Sequence, residues 1–136
     1  MPVTENEIDV SALAQIIYEH SPRLVVVERA QAMPKQGVTS MFRYGLGYGR
    51  ILGMLEALRI SHQLVRPQQW KAAVLTGTKR DKAAAIHYVR GKYPSVDLTP
   101  GARRKAHDGI ADSLCIAEFG RLVLNGLSAT TKRLEQ

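Results

Sequence analysis

The run Leu24-Val25-Val26-Val27-Glu28 constrains the fold of this chain more than any other stretch. It is apolar and rich in β-branched residues without alternation, the pattern of a strand covered on both faces inside a parallel sheet. A parallel neighbour requires a crossover of a dozen or more residues, usually helical. The sequence supplies one. Arg29–Ser40 contains Pro34 and Gly37 and reads as a loop, and Met41–Leu58 then carries Met41, Ile51, Leu52, Leu55 and Leu58 on or near one helical stripe. A second strand is expected over Ser61–Arg66. Upstream, Asp9 or Ser11 can cap a helix bearing Leu13, Ile16 and Ile17, which Ser21-Pro22 ends. Downstream, Pro67 suits the first turn of a short helix over Gln68–Leu75. A turn at Thr76–Asp81 leads to a helix over Lys82–Tyr93 that stops at Pro94, and Ser95–Lys105 is a basic loop. A last helix is expected from His107 to Leu124, marked by Ile110, Leu114, Ile116, Ala117, Phe119 and Leu122. The expected class is α/β, with a single domain over 1–126 and a polar tail over 127–136.

Two strands alone leave an anomaly. A two-stranded sheet does not bury a run such as LVVV on both faces, and each strand keeps an edge of unpaired backbone groups. Further strands are therefore expected, either from another chain or from a segment preceding Met1.

The charge is unevenly placed. Residues 1–28 hold five acids (Glu5, Glu7, Asp9, Glu19, Glu28) against Arg23, a balance of −4, whereas residues 29–136 hold 18 bases and seven acids, a balance of +11. Such an excess is the electrostatic footprint expected for a phosphate-rich partner, although a solvated basic face has the same composition. No uncharged apolar run approaches the roughly 20 residues that cross a bilayer, so no membrane span is expected. The acidic opening MPVTENEIDV is unlike a signal peptide, and a cytoplasmic protein is expected. The single Cys115 reads as a small buried apolar residue.

The residues most suited to chemistry are Glu28, Asp108 and Asp112. Glu28 closes the apolar strand, and ligands of open α/β sheets collect at the carboxyl ends of strands. Asp108 and Asp112 lie four apart at the start of the last helix and project from one face. Carboxylates gathered in this way repel unless a cation lies between them, and Mg²⁺ or Mn²⁺ prefers oxygen ligands. The plain alternative makes Asp108 an N-cap, Asp112 a solvated helix acid and Glu28 a surface group. The run Arg103-Arg104-Lys105 places three positive charges just ahead of His107-Asp108, as a DNA-backbone contact or a solvated charge run.

The strings VVVERAQAMPKQGVTSMFRYGLGYGRILGML (25–55), PQQWK and GTKRDK within 67–82, and KAHDGIADSLCIAEFG (105–120) together resemble the RuvC family of crossover-junction endodeoxyribonucleases, in particular its compact phage-type branch. The resemblance implies a ribonuclease H-like fold whose N-terminally abbreviated sheet is flanked by helices. It further implies a Mg²⁺ or Mn²⁺ site of clustered carboxylates, a homodimer, and paired nicking of branched DNA such as four-way Holliday junctions. Glu28 matches the acid that ends the strand before the long helix. Asp112 matches the last acid, within Ala111-Asp112-Ser113-Leu114, and Asp108 matches the HDG form of the third. His107 is then a second ligand or a general acid–base group, or else a helix-start histidine bonded locally. Lys71 and Lys82 match two basic positions near the scissile backbone, where a point charge holds phosphate.

The chain departs from the family pattern in two places. The family opens with a glycine-rich strand of the form GIDPG, whose aspartate contributes to the metal site, whereas Met1-Pro2 resembles the segment just before the first helix. A non-catalytic DNA-binding remnant is therefore the alternative expectation. Gln31 stands where relatives often carry an aromatic wedge; Phe42, Tyr44 and Tyr48 are candidate substitutes or core residues. Gly45, Gly49 and Gly53 superficially resemble part of a dinucleotide fingerprint, but their spacing and their distance from a strand discard it. Their spacing of four instead suggests close approach of another helix, within the fold or across a dimer.

Overall fold

The computed structural model describes residues 1–4, 7–32 and 34–134. Glu5, Met33 and Glu135–Gln136, which entered the charge count, the loop and the tail, lie outside the described residues. The chain is a mixed α/β protein that forms two compact units, Met1–Val25 with Arg29–Gln63, and Val26–Glu28 with Leu64–Gln136.

The first unit opens with β1 (Val3–Thr4) and β2 (Glu7–Ile8), an antiparallel pair in the register Val3↔Ile8 and Thr4↔Glu7. Strands of two residues are too short to leave an alternating pattern, so the sequence does not announce them. Helix α1 (Val10–His20) follows. Of its two candidate caps it uses Asp9, whose Oδ1 accepts the Ala12 N–H at 2.9 Å while Thr4 Oγ1 donates to Oδ2 at 3.0 Å. It ends where Ser21 turns left-handed (φ 43°), donating its N–H to the Ile17 carbonyl at 2.9 Å.

Strand β3 (Val25–Glu28) and strand β4 (His62–Val65) pair with each other, and helix α2 (Val38–Ala57) lies between them in sequence. Helix α2 begins three residues before the expected Met41, at the Gly37 cap, and packs on α1 and β2. Leu55 is fully buried, whereas Leu58 falls beyond the helix end and is 54% exposed. Arg50 donates to Glu7 at 2.7 Å, and a Cβ at Gly47 would meet Ile8 Cδ1 at 2.9 Å. A Cβ at Gly45, Gly49 or Gly53 would meet nothing within 4 Å, so among the described residues no other helix makes the expected close approach there.

The expected burial of the LVVV run on both faces is not reached. Residues Leu24–Glu28 are half-buried. Among the described residues β3 has one hydrogen-bonded neighbour, β4, and a two-stranded sheet has too little width to enclose its inner faces.

The second unit holds the main core, built on helices α3 (Pro67–Val74), α4 (Lys82–Lys92) and α5 (Asp108–Leu134). Pro67 opens α3 as expected, and Asp81 caps α4 by accepting the Ala84 N–H at 2.8 Å. Helix α5 packs against both α3 and α4. Among the described residues its buried positions are Ala111, Cys115, Glu118 and Gly120, whereas Ile110, Leu114, Ile116 and Phe119 are half-buried and Ala117 and Leu122 are exposed. Small side chains at Ala111 and Cys115, with Ala85 on α4, let helices meet closely around Trp70, Leu75 and Val89. Each of these larger side chains contributes roughly 1.5–3 kcal/mol by leaving water. Burial also pushes the Cys115 thiol up to about 11, as befits an apolar core residue.

Helix α5 continues to Leu134, ten residues beyond the expected Leu124, so the backbone of 127–134 extends the helix instead of forming a separate tail. Among the described residues, no helix is long and apolar enough to cross a membrane.

Candidate functional site

Glu28, Lys71, Lys82, His107, Asp108 and Asp112 all lie in the second unit. Helix α3 brings two residues. Trp70 is fully buried, and its Nε1–H donates to Glu28 Oε2 at 2.6 Å, so the end of β3 is held by the indole. Lys71 follows directly, its ammonium 5.3 Å from the centre of the Trp70 ring, within cation–π range.

Helix α4 contributes Lys82, whose Nζ pairs with Asp108 Oδ2 at 2.5 Å. Lys82 stands at the first helical position because Asp81 takes the capping role. Helix α5 starts immediately after His107, whose carbonyl accepts the Ile110 and Ala111 N–H groups at 3.2 Å and whose own N–H donates to the Leu98 carbonyl at 2.7 Å. Asp108 is accordingly the first helical residue, not the residue that leads into the helix; its Oδ1 accepts the adjacent Gly109 N–H at 3.1 Å. A hydrogen bond from Lys82, then its charge, then the Gly109 N–H hold the Asp108 carboxyl below its ordinary value.

Asp112, one turn on, has a different environment. Burial raises its carboxyl above the ordinary range, and the negative charges of Glu28 and Asp108 raise it further, while Lys71 and Lys82 pull it down. Glu28, Lys71, Lys82, Asp108 and Asp112, drawn from β3, α3, α4 and α5, therefore share one electrostatic neighbourhood. Sequence spacing paired Asp108 with Asp112; only packing adds the other three.

The His107 Nδ1 is buried without a hydrogen-bond partner among the described residues and lies 3.9 Å from Asp108 Oδ1. A Cβ at Gly109 would meet the ring at 3.0 Å from Cε1, so glycine leaves the space in which the imidazole sits. Arg103, Arg104 and Lys105 are exposed in the loop ahead of His107, and none pairs with an acid among the described residues.

The three acids form an all-oxygen donor set, the chemistry of a hard divalent cation. A cationic stand-in, the Lys82 ammonium, already rests on Asp108. As the side chains stand, no three His, Cys, Asp or Glu residues among the described residues are gathered closely enough to hold a metal ion.

Other expectations fall elsewhere. Phe42 and Tyr44 are 70% and 53% exposed, so neither is a core residue, and Tyr48 is half-buried. Gln31 is exposed in the loop before α2. Sequence reasoning missed Trp70 as part of the site, although the only tryptophan of the chain directly precedes Lys71. It also missed Glu118, which is 3% exposed and accepts from Lys92 (2.7 Å), Tyr93 Oη (3.1 Å) and Arg121 (2.6 and 2.9 Å). Arg121 and Lys92, acting against burial, hold the Glu118 carboxyl down at about 2.

Set against known proteins, the chain matches no family model and no curated protein.

Proposed function

We propose that this chain is a RuvC-like, metal-dependent endonuclease of ribonuclease H-like fold that nicks branched DNA such as four-way junctions, acting as a homodimer. The observation that carries the reading is the convergence on Asp112 of Glu28, Asp108, Lys71 and Lys82, four groups contributed by separate elements. Two opposite charge types at one core edge suit a reaction in which a cation and a phosphodiester meet.

Glu28, Asp108 and Asp112 would hold Mg²⁺ or Mn²⁺, which when bound supplies an activated water and charge stabilisation for the departing oxygen. Lys71 and Lys82 hold the phosphate as point charges, Lys82 exchanging its carboxylate partner for a phosphate oxygen. Its pair with Asp108 is solvent-exposed and screened by water, so it is easily exchanged. His107, whose Nδ1 has no hydrogen-bond partner among the described residues and lies 3.9 Å from Asp108 Oδ1, would serve as a second ligand or as a proton carrier. Arg103, Arg104 and Lys105 add sequence-independent attraction for the DNA backbone.

The deciding assay is nicking of a four-way junction with Mg²⁺ or Mn²⁺, comparing the unmodified chain with Glu28→Gln and Asp112→Asn. The expected result is cleavage that each substitution lowers at least about a hundredfold, the scale of losing one positioned group that stabilises transition-state charge. No cleavage by the unmodified chain, or equal cleavage by all three, overturns the enzyme reading. A second reading, DNA binding without cleavage, is favoured by the Lys82–Asp108 pair, which neutralises one of the three acids. It predicts salt-dependent junction binding with no nicking, and a shallower salt slope when Arg103, Arg104 and Lys105 are all replaced by alanine.

A further inference from the structure

A buried indole has one polar need. Its N–H is a donor with no acceptor capacity, and in the core it must find a partner. Trp70 finds Glu28 Oε2 at 2.6 Å, while Glu28 Oε1 takes no hydrogen bond among the described residues. On the other side of the chemistry, the face of the same ring carries the Lys71 ammonium at 5.3 Å. This matches the aromatic quadrupole, whose rim is positive and whose faces are negative: an anion is held at the edge and a cation over the plane. Glu28 and Lys71 are thus both engaged by one rigid side chain, and they form no ion pair with each other.

We infer that Trp70 is the positioning residue of the site, fixing the Glu28 carboxylate through its edge and Lys71 through its face, so that the two opposite charges stay apart and each remains available, Glu28 to a divalent cation and Lys71 to phosphate. The inference rests on the proposed cation-dependent reading and assigns a role that none of the acids or lysines fills. Had Glu28 only to satisfy the indole, a neutral acceptor would serve without the cost of desolvating a charge. A carboxylate accepting one strong N–H bond has one oxygen fixed and the other left for a ligand.

Trp70 is the only tryptophan in the chain, so its indole N–H gives a single signal in an amide correlation spectrum. The test follows that signal in the full chain during a Mg²⁺ titration, with calorimetry in parallel, for the unmodified protein, Glu28→Gln and Trp70→Phe. The expected result is an indole signal that moves with Mg²⁺ at the concentration calorimetry gives as Kd, stays put in Glu28→Gln, and a Trp70→Phe variant, folded by its amide dispersion, that binds Mg²⁺ at least threefold more weakly. If Trp70→Phe does not fold, the indole signals of the other two proteins decide. Calorimetric binding with an unmoved indole signal, or a folded Trp70→Phe that binds as tightly as the unmodified chain, overturns the positioning role and leaves the cation-dependent reading standing. Absence of any Mg²⁺ or Mn²⁺ binding overturns that reading, and the positioning role with it.

Discussion

The two compact units treat their apolar residues differently. In the second, nine apolar residues among those described are buried, with Trp70, Ala85, Val89, Ala111 and Cys115 wholly removed from solvent. In the first, Leu55 alone is buried among the described residues, while Tyr18, Val38 and Phe42 are 85%, 86% and 70% exposed. The first unit contains amphipathic helices and a minimal strand pair; the second closes three helices around a tryptophan. The candidate site follows this division. A charged side chain keeps a defined position only where packing fixes the backbone and neighbours beneath it, and all three acids stand at the edge of the packed unit.

The contrast is sharpest at the aromatic residues. Trp70→Ala is expected to cost about 3–5 kcal/mol, a cavity in a packed core, whereas Phe42→Ala in the first unit is expected to stay within about 0.5 kcal/mol. Denaturant unfolding of the two variants compares them directly, and similar losses would erase the distinction between the units.

A smaller effect concerns the buried acid of the second unit. Glu118→Gln is expected to cost about 2 kcal/mol at neutral pH, since it replaces charge-assisted bonds to Lys92 and Arg121 with neutral ones. Because the Glu118 carboxyl is depressed from 4.5 to about 2, its stabilisation is complete above pH 4.5 and fades as the pH falls from there towards 2. Unfolding curves for the unmodified chain and Glu118→Gln should therefore converge between pH 4.5 and pH 2; a constant gap would show that the carboxylate is not the source.

The smallest effects lie in α2. Gly49 has open space around it, so Gly49→Ala is expected to stabilise by about 0.5–1 kcal/mol through helix propensity. Gly47→Ala should gain less or nothing, because its Cβ would meet Ile8 Cδ1 at 2.9 Å and displace that side chain. Thermal unfolding measures both, and equal gains would mean that Ile8 yields without cost.

Much of the secondary structure was legible because its signals are local. Asp9, Ser21, Pro67 and Asp81 each act through a hydrogen bond or a fixed φ within a few residues, and the helices begin and end beside them. The two-residue strands β1 and β2 left no such trace. The buried side of α5 was obscured for a different reason. Ala111, Cys115 and Glu118 are small or charged, so hydropathy pointed to their larger neighbours, and only the close approach of α3 and α4 selects the small ones.

The site divides in the same way. By itself the sequence determined the α/β class, the strand ending in Glu28, and the four-residue spacing that puts Asp108 and Asp112 on one helix face, because periodicity and chain direction settle these. Only the tertiary structure decided that Trp70 would hold Glu28, that Lys82 would rest on Asp108, and that Asp112 would feel charges from three other elements. The same packing decided that the LVVV run would end half-buried. Contacts across 42 and 26 positions depend on which helix faces meet, and that choice is made by burying the whole core at once, not by any local run of residues.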